Sequence, residues 1–158
     1  MDRTKLIILS FFITAGLVFL FSLANKDVSP TAGDSGGSQT NNDTQLLARC
    51  VNGESRGEPY IGQVAVAAVI LNRVGHPSFP NTISGVIYQP QAFTAVSDGQ
   101  INVPIDEASQ VFQACREAMN GADPTGGAIY YYNPAKATNQ WIYSREVLKT
   151  IGKHVFAK

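Results

Sequence analysis

Residues 44–73, TQLLARCVNGESRGEPYIGQVAVAAVILNR, decide the architecture of this chain. Residues 45–52 read as a helix, with Asp43 or Thr44 as the N-cap whose side-chain oxygen accepts an otherwise unpaired amide. Gly53, Gly57 and Pro59 mark its end, since a proline pushes the residue before it, here Glu58, out of the helical region. Residues 62–73 are apolar almost all round and rich in alanine. That pattern fits a buried helix or a buried strand, and its length and alanines favour the helix. A helix with no solvated face needs a core built around it.

Working toward the C-terminus, residues 74–104 are rich in Pro, Gly, Ser and Asn and read as loops with short ordered pieces. Asp106 is placed to cap a third helix in which Ala108, Val111, Phe112, Cys115, Ala118 and Met119 share an apolar face, with Gly121 as its stop. Residues 126–134, GGAIYYYNP, read as a turn, a short aromatic strand and a break, with residues 141–143 as a partner strand. On such a strand Tyr130 and Tyr132 share a face and Tyr131 takes the other. The tail carries Val147, Ile151 and Val155 at helical spacing but also Gly152, which leaves its state open. The class expected is α+β, mostly helical.

Working toward the N-terminus, residues 6–24 form 19 uncharged positions rich in Leu, Ile and Phe, behind Arg3 and Lys5. At about 1.5 Å per residue this run just crosses a hydrocarbon layer of roughly 30 Å, and the basic residues keep its start in the cytoplasm. Ser22 and Ala24 equally suit a signal peptidase. Residues 1–24 are therefore read as a membrane anchor or a signal peptide, and either one places the remainder outside the cytoplasm. Residues 25–43 hold almost no large apolar side chain and are expected to be a flexible linker. The folded domain expected is residues 44–158.

The 158 residues carry 12 Lys and Arg against 12 Asp and Glu, so the formal charge is zero and 15% of positions are charged. No basic run offers the footprint that phosphate binding requires, so nucleic acid is not an expected partner. Two cysteines, Cys50 and Cys115, and two histidines give neither a CxxC motif nor a metal-ligand cluster, and no metal or cofactor is expected. Each cysteine falls on the apolar face of a different helix. In an exported domain they form either a disulfide or two buried thiols.

Projected on the first helix, Leu47, Cys50, Val51 and Glu54 fall at i, i+3, i+4 and i+7, so one carboxylate shares a stripe with three apolar side chains. Burial and the negative end of the helix dipole both disfavour its ionised form, as a general acid working near neutral pH requires. The plainer reading pairs Glu54 with Arg49 or Arg56. Glu58 is the obvious second carboxylate, although Gly57 and Pro59 break the helix that would make the two neighbours. Asp98 sits in a loop. The rings of Tyr88, Phe93, Tyr130, Tyr131, Tyr132, Trp141 and Tyr143 exceed what one small core requires, and flat rings with polar tips suit stacking on sugars.

The stretches RCVNGESRGEPYIGQVAVAAVILNRV (residues 49–74), FTAVSDGQ (93–100), DPTGGAIYYYNP (123–134) and IGKH (151–154) closely resemble the catalytic domain of spore cortex-lytic enzymes, cell wall hydrolases of spore-forming bacteria. The resemblance covers nearly all of residues 44–158 and implies a lysozyme-like fold that cleaves the glycan strands of peptidoglycan. It makes Glu54 the catalytic acid/base. Lytic transglycosylases, which these enzymes resemble, place in order a Glu-Ser pair, a Gly- and Gln-bearing turn and a Tyr-Asn pair. Here these match Glu54-Ser55, Gly62-Gln63 and Tyr132-Asn133. The resemblance implies that Tyr132 hydrogen-bonds Glu54 and that Ser55, Gln63, Phe93, Asn133 and Trp141 join it in binding the glycan.

The product implied is a 1,6-anhydromuramyl end. A water-using muramidase would instead need Glu58 or Asp98 across the cleft, and a non-catalytic peptidoglycan-binding domain would give Glu54 no role. The peptidoglycan-binding module often found upstream in that family has the linker in its place, so targeting is expected from membrane proximity through residues 6–24. No accessory protein is identified. Cys50 and Cys115 stand where the family resemblance leads one to expect small residues, which favours their pairing.

Overall fold

Helix α2 (Tyr60–Val74) is the most buried of the long helices and packs against the other long helices and the sheet. Gly62 and every residue from Val64 through Ile70 are buried, and this lack of a wet face is why an apolar, alanine-rich run is stable here as a helix. The computed structural model describes residues 35–158, with side chains from Gly37 onward. The anchor or signal expected in residues 6–24 and the first part of the linker lie outside the described residues. Among the described residues no helix is long and apolar enough to cross a membrane.

Helix α1 (Ser35–Glu54) packs on α2 through Leu47, Ala48, Cys50 and Val51, all fully buried. It is already helical at Ser35, the first described residue and well before the expected cap near Thr44, so the second half of the expected linker is helical. Thr44 is buried and its hydroxyl donates to the Thr40 carbonyl at 2.8 Å, a bond inside the helix rather than a cap. Once a buried turn nucleates a helix, each further residue gains a bond at little cost, and Asn41 is held by a 3.2 Å bond to Glu107.

Helices α3 (Ile83–Ile87) and α4 (Thr94–Ser97) are the ordered pieces within the loop-rich segment, followed by a 3₁₀ turn at Gln100–Asn102. Helix α5 (Gln110–Met119) buries Val111, Phe112, Ala114, Cys115 and Ala118, and its small residues allow close packing on α2. Its cap is Ser109, whose hydroxyl accepts from the Phe112 amide at 3.3 Å. Asp106 instead accepts from the Ala108 amide in the preceding turn. Gly121 supplies the stop at φ +99°.

The sheet is antiparallel with order β1-β3-β2, from β1 (Tyr130–Tyr132), β2 (Val147–Ile151) and β3 (His154–Ala157). In β1 against β3, Tyr131 faces Phe156 and Tyr132 faces Val155. Residues 141–143 are not the partner strand. They lie in a 3₁₀ turn, Gln140–Ser144, that Asn139 caps through its side chain, and the tail left open by the sequence forms the β2–β3 hairpin. Gly152, at φ +57°, takes the left-handed conformation that a two-residue turn demands. The end of α2 holds the approach to β1: Asn72 Nδ2 donates to Ala128 O at 3.0 Å and Arg73 Nε to Ile129 O at 2.7 Å. The class is α+β, mostly helical with one small sheet.

Cys50 of α1 and Cys115 of α5 are buried free thiols, not the disulfide the resemblance favours. Burial pushes the Cys115 thiol up to about 12, and burial together with the Glu54 charge drives Cys50 up as well, so neither forms a reactive thiolate. We expect a thiol reagent to leave the native chain unlabelled and to modify both cysteines on unfolding without reductant. A mass showing neither free after unfolding would contradict the structure.

Candidate active site

Glu54 is the last residue of α1, half-buried and beside the helix's carbonyl end. That position supplies no donors of its own, so the carboxylate must draw them from elsewhere in the chain. Two come from the start of α4: Thr94 Oγ1 donates to Oε1 at 2.8 Å and the Ala95 amide donates to the same oxygen at 2.9 Å. The Ala95 amide lies in a first helical turn, where no intrahelical acceptor exists. The third donor is Tyr131 of β1, whose hydroxyl reaches Oε2 at 3.0 Å.

This geometry depends on Gly53. A Cβ at that position would lie 2.6 Å from the Ala95 Cβ, too close for any packed structure, so the missing side chain is what lets α4 come against the end of α1. Burial, and after it the neighbouring Glu54 charge, pushes the Tyr131 hydroxyl well above its usual range. Tyr131 therefore stays a neutral donor.

A cavity of about 390 Å³ opens over Glu54. Gly53, Thr94 and Tyr131 line it beside the carboxylate, and Tyr132, Asn133, Lys136, Ala137 and His154 complete its wall. Asn133 uses Oδ1 to accept from the Ala135 amide at 2.9 Å, which fixes the turn after β1. His154, 7% exposed, stands edge-on to the Tyr131 ring with centroids 5.2 Å apart. Its Nδ1 is buried with no hydrogen-bond partner. Burial holds the His154 imidazole below its usual range although Glu58 and Glu54 pull the other way. A second depression of about 320 Å³, between Tyr88 and Ser97, shares Thr94 with the first.

Of the residues the sequence singled out, the structure brings Glu54, Tyr132 and Asn133 together in one cavity. The bond to Glu54 comes from Tyr131, not Tyr132. Strand alternation turns Tyr131 toward the core ring of Phe156, while Tyr132 packs edge-on to Tyr143 at 5.1 Å. Ser55 is 1% exposed and returns its hydroxyl to Val51 O at 2.6 Å, so it is not placed to bind substrate. Gln63 sits in the first turn of α2 and donates to the Glu58 carbonyl at 3.3 Å, outside the cavity.

Phe93 is 4% exposed and lies under the half-buried Arg73 guanidinium, 5.4 Å from its ring centroid, in a cluster with Phe79 and Tyr130. Trp141 is exposed but away from the cavity lining, with the Arg145 guanidinium 4.2 Å over its ring and Tyr130 edge-on. Asp98 is exposed and closes its own turn by accepting from the Gln100 amide at 3.0 Å. The carboxylate of Glu58 is turned to the backbone of the β2–β3 turn. Sequence reasoning did not single out Tyr131, Thr94, Lys136 or His154 as site residues. For Tyr131 the alternation of the strand was the available signal, and Thr94 and His154 sit inside stretches that carry the family resemblance.

A cell wall hydrolase family model matches residues 57–157, beginning three residues after Glu54. A spore cortex-lytic enzyme of Bacillus cereus is 52% identical over 154 residues, covering 87% of this chain, and this chain spans 59% of that relative's length. The crystal structure of the catalytic domain of the Bacillus cereus SleB protein superposes with a TM-score of 0.71 at 61% identity, covering 75% of this chain and 91% of that one. The catalytic domain of the germination-specific lytic transglycosylase SleB from Bacillus anthracis gives a TM-score of 0.71 at 57% identity, over 80% of this chain and 98% of that one.

Replacing Gly53 by alanine should force α4 off the end of α1, costing about 1–3 kcal/mol of stability as an overpacked core does. A chemical denaturation curve unchanged from the parent would refute that packing argument. The buried neutral His154 sets a pH dependence. The unfolded chain takes up the imidazole proton first, near pH 6.5, so the stability it lends is whole above that pH and is lost as pH falls through the lowered folded value. The melting temperature should therefore fall more steeply below about pH 6.5 in the parent than in His154→Phe, and equal slopes would count against it.

Proposed function

The chain belongs to the cell wall hydrolase family, and from that premise we propose that it cleaves the glycan strands of peptidoglycan, in spore cortex or cell wall, between N-acetylmuramic acid and N-acetylglucosamine. Glu54 is the acid/base. The observation that carries this reading is its setting: among the described residues lining the cavity, Glu54 is the one carboxylate, and three donors from two other elements fix it.

The two oxygens are not equivalent. Oε1 is bound by two donors, whereas Oε2 has one and keeps a lone-pair position open for the transferable proton. Protonated Glu54 gives that proton to the glycosidic oxygen as the bond from that oxygen to muramyl C1 breaks. The same carboxylate then takes the proton of the muramyl 6-hydroxyl as its oxygen bonds to C1, leaving a 1,6-anhydro ring and no net change in the enzyme. Tyr131, neutral throughout, keeps Oε2 oriented across both steps.

A single carboxylate suffices for this sequence. A water-using enzyme needs a second one about 6.5–9.5 Å across the cleft if inverting, or about 5–5.5 Å away if retaining. Glu58 and Asp98 both lie outside the lining and are engaged with backbone amides, which favours the transglycosylase reading. The paired depressions meeting at Thr94 suit an extended strand passing Glu54. Lys136, the one cation on the wall, suits a lactyl or peptide carboxylate on the muramyl unit. The domain acts outside the cytoplasm, with residues 1–24 as its anchor or signal and any remaining linker as its reach.

Digestion of purified cortex and of vegetative wall, with mass analysis of the muropeptide ends, tests the assignment. Anhydromuramyl ends are expected, and Glu54→Gln should slow their release by about 10²–10⁴-fold. Reducing muramic acid without anhydro product would replace the transglycosylase by a hydrolase. Undiminished release by Glu54→Gln would remove Glu54 from the chemistry.

A further inference from the structure

Glu58 is the one buried acidic side chain among the described residues, at 8% exposure. A carboxylate taken out of water is unfavourable unless it is bonded, and this one is bonded to backbone. Its Oε2 accepts the Lys153 amide at 2.9 Å, in the two-residue turn between β2 and β3. Gly152, the other turn residue, lies flat against the same carboxylate, and a Cβ there would overlap Oε2 and come within 3.0 Å of Pro59 Cδ. The Glu58 carbonyl accepts from Gln63 Nε2, which fixes the residue to the first turn of α2. The turn is thus clamped to the start of the most buried helix.

The residue that follows the clamp is His154. Its ring supports the Tyr131 ring, and the Tyr131 hydroxyl holds Glu54. A contiguous line of contacts runs from Glu58 through the turn, His154 and Tyr131 to Glu54. On the reading above, in which Glu54 is the acid/base, we propose that Glu58 is a positioning residue: by gripping the Gly152-Lys153 turn it sets His154 under Tyr131 and so fixes the oxygen of Glu54 that transfers the proton. This gives the obvious second carboxylate a part in the reaction without contact with substrate. His154 is kept neutral by burial, so the line acts through packing and not through an imidazolium–carboxylate pair.

The test uses the full chain on purified cortex, with kcat, KM and the melting temperature measured for each variant. Glu58→Ala removes the grip and should lower kcat by about 10- to 100-fold, the scale of a misplaced catalytic group, with KM within about twofold. Glu58→Gln keeps an acceptor oxygen for the Lys153 amide and should recover activity to within about fivefold of the parent. Gly152→Ala, which pushes the turn off the carboxylate, should lower kcat by itself and have a smaller effect in the Glu58→Ala background than in the parent, because the two share that contact while the backbone strain at φ +57° persists in both.

Glu54→Gln is measured alongside, since activity retained there overturns the underlying assignment itself. With Glu54→Gln inactive, a Glu58→Gln as weak as Glu58→Ala would show that Glu58 acts through its charge, and parent-like kcat in Glu58→Ala would show that nothing depends on the clamp. Either result overturns the proposal. Should Glu58→Ala fail to fold, the kcat and KM of Glu58→Gln and Gly152→Ala decide. Activity retained in the first with kcat selectively lost in the second supports positioning, and parent-like kcat in Gly152→Ala refutes it.

Discussion

A carboxylate at the C-terminal end of a helix faces carbonyl oxygens, the least hospitable neighbours it can have. In this chain that conflict organises the candidate site. Glu54 is held there because three donors converge on it from segments 40, 41 and 77 residues away in sequence. The loop-rich stretch must curl back to present Thr94 and Ala95, and β1 must be set so that Tyr131 points inward. The cavity exists where these three segments meet.

The two long helices around the site were legible because their signals are local and redundant. Residues 64–70 are apolar without interruption, and the length and alanines of the run around them favour a buried helix over a buried strand. Glu54 stood out because a charge shares the stripe of Leu47, Cys50 and Val51, although position alone also suits a pair with Arg49 or Arg56, and the family resemblance singled it out. The alternation of three tyrosines told which of them differs from the others, although not which one reaches Glu54. That last step depends on the pairing of β1 with β3, and pairing between distant strands leaves no local trace.

What stayed hidden was tertiary. Residues 141–143 have the composition of a strand but are claimed by a 3₁₀ turn capped by Asn139. The tail carries apolar residues at helical spacing, yet Gly152 and the buried carboxylate beside it bend it into a hairpin. Ser55 and Gln63 carry the right residue types in the right order, but Ser55 gives its hydroxyl and Gln63 its amide nitrogen to backbone close by in sequence. Residue type announced chemistry in these cases, whereas packing decided whether the side chain was available for it. The start of α1 shows the converse, since Ser35 to Asp43 has the composition of a linker and becomes helical by extension from a buried neighbour.

The strand order β1-β3-β2 has a consequence for how Glu54 is held. Tyr131 lies on β1, whose one sheet neighbour is β3, the latest element in chain order. Among the described residues His154–Ala157 is the segment that pairs with β1, and it lies between the other two strands. The frame around Glu54 is therefore closed by strand pairing far downstream in the chain, since the Tyr131 that bonds its carboxylate is steadied by β3.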